Sequence, residues 1–221
     1  MLKAVLFDLG DTLVKSVNLI ETYRRILQVY GIHRSQEELT AAHIEAGRLL
    51  GLEYMKTMSD KYWIRRNNIF LEHLGVFGRE DLARTISEQW WDYSDVALYS
   101  DAVEILDELK QRGIKMGVIT NALQTDLTKI ISKTKLDPDY FDVIVTVSTI
   151  CRMKPEKEVF DHALNVLNVA PNETLFVGDT VEYDYEGARK AGLKAVIIDR
   201  ENKVGGNIEK IHDLREILAL I

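Results

Sequence analysis

Apolar residues fall into two textures along this chain. Between residues 17 and 93 they recur at three- and four-residue spacing, the period of helices with one face turned inward. Residues 17–30 carry Ile20, Tyr23, Ile26, Leu27 and Tyr30 on one such face, and Gly31 stops the run. Ser35, with Glu38 three residues on, has the pattern of a capping box and opens a second helix reaching to about residue 52. Ser59 or Asp60 is placed to cap a third, which ends at Leu74 before Gly75. A fourth spans 81–93 with Leu82, Ile86, Trp90 and Trp91. Four amphipathic helices with short connections suffice for a small bundle.

On either side of this block the apolar residues come in short continuous runs: 4–7, 114–119, 143–147, 175–177 and 195–198. Beyond residue 100 the runs alternate with helical periods over 101–112, 123–133, 156–167 and 182–191, and an amphipathic helix over 208–220 closes the chain. Such alternation predicts right-handed crossovers and a parallel sheet covered on both faces. The expected fold is therefore α/β, a doubly wound, Rossmann-like parallel-sheet core with an inserted all-helical domain of four helices. The core takes residues 1–15 and 96–221, and the helical cap, residues 16–95, enters after the first strand as a lid. Hinges are expected near residues 14–16 and 92–98.

Composition narrows the partners. With 46% hydrophobic and 29% charged residues, the 221-residue chain has the make-up of a globular protein. Lys+Arg 28 against Asp+Glu 35 gives a net charge of −7, which argues against nucleic acid or an anionic membrane as a partner. No apolar stretch approaches the roughly 20 residues of a membrane span. The first strand starts almost at the amino terminus with no signal peptide before it, and the one cysteine, Cys151, suits a reducing compartment, so a cytoplasmic location is expected. Cys151 itself is expected to be a small buried hydrophobe. Nothing in the pattern sets an oligomeric state.

Chemistry-bearing residues cluster where the apolar runs end. The first run gives Asp8, Gly10, Asp11 and Thr12, and the second gives Thr120 and Asn121. The loop after the third gives Arg152 and Lys154, and the fourth run ends in Gly178 and Asp179, with Asp184 five positions on. In a doubly wound sheet these carboxyl ends lie side by side. Each piece alone reads equally as an ordinary turn, cap or solvated charge. Together they gather carboxylates that repel, by about 4 kcal/mol for two unit charges 4 Å apart at an effective dielectric of 20. A divalent cation resolves the repulsion, and an all-oxygen set without His or Cys favours Mg²⁺. A hydroxyl and a lysine beside it make a pocket for a phosphoryl group, and a carboxylate left free to attack can form an aspartyl-phosphate.

With these motifs in this order, the sequence resembles the haloacid dehalogenase-like hydrolase superfamily over essentially its whole length. Residues 8–12 match the first family motif, Thr120 the second, Lys154 with Pro155 the third, and Gly178, Asp179 and Asp184, running on to Gly187 and Ala188, the fourth. The resemblance implies a phosphatase acting on a small phosphorylated substrate. Asp8 would attack phosphorus, while Asp8, the Gly10 carbonyl and Asp179 would hold Mg²⁺. Thr12 belongs to the nucleophile loop. Thr120, the Asn121 backbone and Lys154 would hold the phosphoryl oxygens, and Asp184 would act through a metal-bound water or by orienting Lys154.

One position departs from the family pattern. Phosphatases of this family usually carry a second aspartate, the general acid and then base, two residues after the nucleophile. Here that place is Gly10 and the acid stands one residue later, at Asp11. In extended geometry Asp11 would point to the opposite face. Three alternatives therefore stand beside the phosphatase: a metal-independent 2-haloacid dehalogenase, a phosphotransferase or mutase, and a weakly catalytic phosphate-binding protein. In the cap, Trp90, Trp91 and Tyr93 are expected in helix packing, and Arg24, Arg25, Arg48, Arg65 and Arg66 on solvated faces.

Overall fold

The computed structural model describes residues 2–15, 18–58 and 61–221. The expected cap at Ser59 or Asp60, and the part of the first hinge at Ser16, lie outside the described residues. By packing, the chain divides into two compact units, one made of Met1–Lys15 with Ala97–Ile221, the other of Ser16–Val96.

In chain order the elements begin with β1 (Ala4–Phe7) and β2 (Val14–Lys15). Helices α1 (Leu19–Val29), α2 (Gln36–Leu49), α3 (Met55–Met58), α4 (Lys61–His73) and α5 (Glu80–Tyr93) follow. Then come β3 (Ala97–Leu98), α6 (Ser100–Gln111), β4 (Lys115–Ile119), α7 (Gln124–Thr134), β5 (Val143–Val145), α8 (Val147–Ile150) and α9 (Lys157–Leu167). The chain closes with β6 (Thr174–Gly178), α10 (Gly187–Lys190), β7 (Lys194–Ile198) and β8 (Lys210–Ile211).

Six strands form one parallel sheet in the order β5-β4-β1-β6-β7-β8. The continuous apolar runs are explained by burial on both faces: no residue of β1 is accessible to solvent. Strand β1 lies between β4 and β6, with Phe7 level with Val118 on one side and Val177 on the other. The chain winds outward from β1 in both directions, so the strand order reverses there, and crevices at such switch points are where open α/β sheets bind ligands. One face of the sheet packs Leu6, Ile119, Val145 and Phe176 against Val159, Phe160, Ala163 and Leu167 of α9.

Two elements differ from the periodicity. Over 208–220 the chain first adds β8 to the sheet edge and then makes a 3₁₀ turn, Leu214–Ala219, instead of a continuous helix. The open edge of β7 competes for the backbone: the Asp199 N–H donates to the Ile211 carbonyl at 2.8 Å, and the buried Asp101 carboxylate takes the Leu214 N–H at 2.8 Å. Over 182–191 a π-helical turn, Val181–Glu186, precedes the short α10. Cys151 is exposed rather than buried, because it ends α8 in a left-handed conformation (φ 52°) that turns it off the helix.

The helical unit has its own core. Tyr23, Ile26 and Leu27 of α1, Leu39 and Ala42 of α2, Phe70 and Leu71 of α4, and Leu82, Ala83 and Ile86 of α5 form one buried cluster, with Trp90 and Tyr93 packed against it. The Tyr23 ring stacks on Phe70 at 4.0 Å and meets the Trp90 edge at 4.8 Å. Ser35 and Glu38 close the expected capping box, at 3.2 Å and 2.7 Å. Arg24, Arg25 and Arg48 pair with Glu21, Asp95 and Glu45, as solvated faces do. Arg66 does not follow them and is only 8% exposed. It lies four residues from both Tyr62 and Phe70, so helical geometry carries it onto the inward face of α4. Among the described residues no helix is long and apolar enough to cross a membrane.

Candidate active site

At the carboxyl end of β1 the Asp8 N–H donates to the Val177 carbonyl at 2.8 Å, so the strand pairing runs into the first acidic residue. The chain then folds back on itself. Leu13 and Val14 donate to the Leu9 carbonyl at 3.0 and 2.9 Å, and Asp11 donates to the Val14 carbonyl at 2.7 Å. Gly10 sits in this loop, while Asp11 takes a left-handed conformation with φ 52°. Extended geometry therefore does not persist to Asp11, whose carboxylate accepts from the Tyr99 hydroxyl at 3.4 Å.

Lys154 reaches this strand end from the loop before α9. Its ammonium is buried and donates to Asp8 Oδ1 at 2.5 Å and to Asp184 Oδ1 at 2.6 Å. Asn121 clamps the backbone of the lysine: it donates to the Lys154 carbonyl at 3.1 Å and accepts from the Lys154 N–H at 2.7 Å. The Asn121 side chain thus serves to place Lys154. Thr120 is buried at the end of β4, its Oγ1 accepting from the Ala122 N–H at 3.2 Å. Arg152, the other cation of that loop, stays exposed near Glu156.

The π-helical turn after β6 accounts for Asp184. Its wide loop folds the carboxylate back, where Oδ2 accepts from the Thr180 N–H at 2.9 Å and the Thr180 hydroxyl at 2.7 Å. The same carboxylate lies so close to Gly178 that a Cβ there would come within 2.4 Å of its Cγ, a contact only glycine permits. One oxygen from each of Asp8, Asp179 and Asp184 lies within 4.8 Å of the others.

Charge is concentrated here beyond what Lys154 offsets. Burial raises the Asp8 carboxyl to about 6, with Asp184 adding to the rise and Lys154 opposing it. Burial, with the nearby charges of Asp8, Asp184 and Asp11, raises Asp179 to about 7. For Lys154, burial alone would lower the pKa, but the two carboxylates outweigh it and hold the ammonium charged. Three converging carboxylates, all hard oxygen donors, against one lysine are a set that could hold a divalent cation such as Mg²⁺.

This repulsion has a measurable consequence. Between the unfolded carboxyl value of 3.8 and about 7, the folded protein holds more protons at Asp179 than the unfolded chain. Stability in chelator therefore falls as pH rises across that window. We expect Asp179→Asn to gain melting temperature relative to the unmutated protein from pH 4 to pH 7 without divalent metal. A difference that stays flat over that range would rule the repulsion out.

Thr12 stands apart from the cluster. Its side chain is fully buried with Oγ1 making no hydrogen bond among the described residues, while its carbonyl accepts from Arg200 Nη2 at 2.9 Å. Arg200 also pairs with Asp101 at 2.8 Å and lies over the Tyr99 ring at 3.7 Å. Thr180, Tyr99 and Arg200 are the supports that periodicity missed. The signal for Arg200 was the one used elsewhere, a polar residue just beyond an apolar run.

Known proteins resemble the chain throughout. The sequence profile of the family described as haloacid dehalogenase-like hydrolases matches residues 5–198. A glyceraldehyde 3-phosphate phosphatase of Methanocaldococcus jannaschii is 28% identical over 208 residues, 90% of this chain and 85% of the relative. The pyrophosphatase PpaX of Bacillus thuringiensis strain Al Hakam is 28% identical over 200 residues, covering 89% of this chain and 83% of PpaX. Among solved structures, the magnesium-bound HAD-hydrolase YfnB of Bacillus subtilis superposes with a TM-score of 0.78 at 20% identity, over 99% of this chain and 98% of YfnB.

Proposed function

This chain belongs to the haloacid dehalogenase-like hydrolases, and on that footing we propose that it releases phosphate from a small phosphomonoester through an aspartyl-phosphate on Asp8. The observation that carries the reading is the buried Lys154 bridging Asp8 and Asp184 at 2.5 and 2.6 Å beside Asp179. The phosphatase and pyrophosphatase relatives favour a phosphoryl bond over a carbon–halogen bond as the one broken. A metal-independent dehalogenase would have no use for three converging carboxylates.

In the first step an Asp8 oxygen forms a bond to phosphorus while the ester P–O bond breaks, and the leaving oxygen takes a proton from water. Water then attacks the phosphorus, the bond to Asp8 breaks, and the carboxylate returns with inorganic phosphate released. Lys154 holds a phosphoryl oxygen and keeps Asp8 ionised, and Asp184 orients Lys154 from behind. Thr120 and the Asn121 backbone complete the oxygen contacts, and Thr12 shapes the loop that presents Asp8. Asp8, the Gly10 carbonyl and Asp179 would hold Mg²⁺, which when bound neutralises charge at the phosphoryl oxygens. The helical unit, residues 16–96, supplies substrate selection in this reading, and a reducing cytoplasm suits the exposed cysteine.

Phosphate release from p-nitrophenyl phosphate tests the proposal. Mg²⁺ should support turnover and chelator should lower it about a hundredfold or more. Asp179→Asn should raise the Mg²⁺ needed for half-maximal rate by roughly 10–100-fold. Full activity in chelator, or turnover of a 2-haloacid instead, would overturn it.

Gly10 makes a separate expectation. The leaving oxygen lacks the acid that the family's phosphatases usually place there, and such a group is worth roughly 10²–10⁴ in rate. Gly10 does not occupy a left-handed conformation, so an L side chain meets no φ penalty. Gly10→Asp should speed alkyl phosphate hydrolysis much more than that of p-nitrophenyl phosphate, whose leaving group needs no proton. Parallel rate constants for the two esters check this.

A further inference from the structure

Among the described residues Arg66 is a buried cation with no carboxylate partner. Among the described residues its one hydrogen bond runs from Nη1 to the Tyr62 hydroxyl at 3.0 Å, and Nε lies buried with no partner. Tyr62 is fully buried and in turn donates to the Leu50 carbonyl at 3.4 Å, so the phenol holds the guanidinium in place without neutralising it. The Trp63 ring lies 5.9 Å from the guanidinium carbon, an aromatic contact that adds little charge compensation.

The surroundings add a second polar atom without a partner. His43 of α2 is half-buried, and its Nδ1 is buried without a hydrogen-bond partner. Burial and the charge of Arg66 push the imidazole pKa down, which keeps the ring neutral. Gly47, one turn on, has no side chain where Nη2 passes: a Cβ there would meet it at 3.0 Å. His43, Gly47 and Trp63 are all partly exposed.

An arginine offers five N–H donors in a planar fork matched to the paired oxygens of a carboxylate or phosphate. Burying that charge without an anion is costly, and proteins pair such charges or leave them in water. We infer that the helical unit carries a binding site for an oxyanion, a carboxylate or phosphate group of a small molecule, seated on the Arg66 fork with His43 Nδ1 as a second polar contact. Tyr62 positions the fork, and glycine at position 47 leaves Nη2 uncovered by a side chain there.

Titration of the full-length protein with inorganic phosphate, followed through the Arg66 Nε–H resonance, tests the site without any reliance on turnover. A saturable shift that persists in Asp8→Asn is expected, and no shift at any phosphate concentration overturns the inference. Should R66Q fail to fold, this titration decides alone, with R66K as the milder variant. Kinetics then separate two sources of the anion, a step that rests on the proposed phosphatase reading. If a second anionic group of the substrate fills the site, R66Q should lower the ratio of KM for esters without such a group to KM for esters with one from about ten to about one, that is, remove the preference for the doubly anionic ester. A preserved preference together with the resonance shift assigns the site to a separate small anion. Either result upholds the site.

Discussion

Asp8→Asn is expected to cut turnover by about 10⁴-fold or more, the scale seen when a covalent nucleophile is removed. The amide cannot attack phosphorus, and nothing else at the strand end replaces it. Fold loss is not the expected cause. Lys154 keeps its bond to Asp184 at 2.6 Å, and removing one of three crowded carboxylates relieves repulsion. The variant should therefore melt within a few degrees of the unmutated protein in chelator. Single-turnover phosphate release and a melting curve on the same sample check both halves. Loss of activity with collapse of the melting curve would count as a folding defect instead.

Lys154→Met should damage both rate and stability. Removing a preorganised cation from developing phosphoryl charge costs about 10²–10³ in turnover. It also leaves Asp8 and Asp184 buried and facing each other, and breaking a buried ion pair from one side typically costs about 3–5 kcal/mol. The sign with pH distinguishes this from a simple packing defect. Asp8 is already raised to about 6 with the lysine present, and loses its opposing charge in the variant. Carboxyls with raised folded values shed stability as pH climbs above their unfolded value. The deficit should accordingly be small at pH 5 and large at pH 8 in urea unfolding, and a constant deficit would show that charge is not its source.

The sheet was legible because strands buried on both faces are written as unbroken apolar runs, as β1 is throughout and β4, β6 and β7 are after their first residue. The candidate chemistry was legible for a related reason: a polar residue directly after such a run must emerge at the strand end. What escaped was set by contacts distant in sequence. The chain beyond residue 208 has a helical pattern, yet the open edge of β7 and the Asp101 carboxylate capture it first. Arg66 has the composition of a surface residue and the spacing of a core one, and spacing prevails because Tyr62 and Phe70 share its face. The left-handed turn at Asp11 could not be read from neighbours, since aspartate tolerates several turn conformations. Likewise, the Asn121 clamp on Lys154 joins residues 33 positions apart that only the finished sheet brings together.

Lys154 meets Asp8 across 146 positions and Asp184 across 30. A chain emerging from the ribosome thus exposes its nucleophile from the outset, yet lacks Asp179 beside it and Asp184, which holds Lys154, until β6 and the turn beyond have been made. Truncated products ending before β6 would be inert rather than indiscriminate, and recovery of turnover after denaturation would report the last tertiary events to complete.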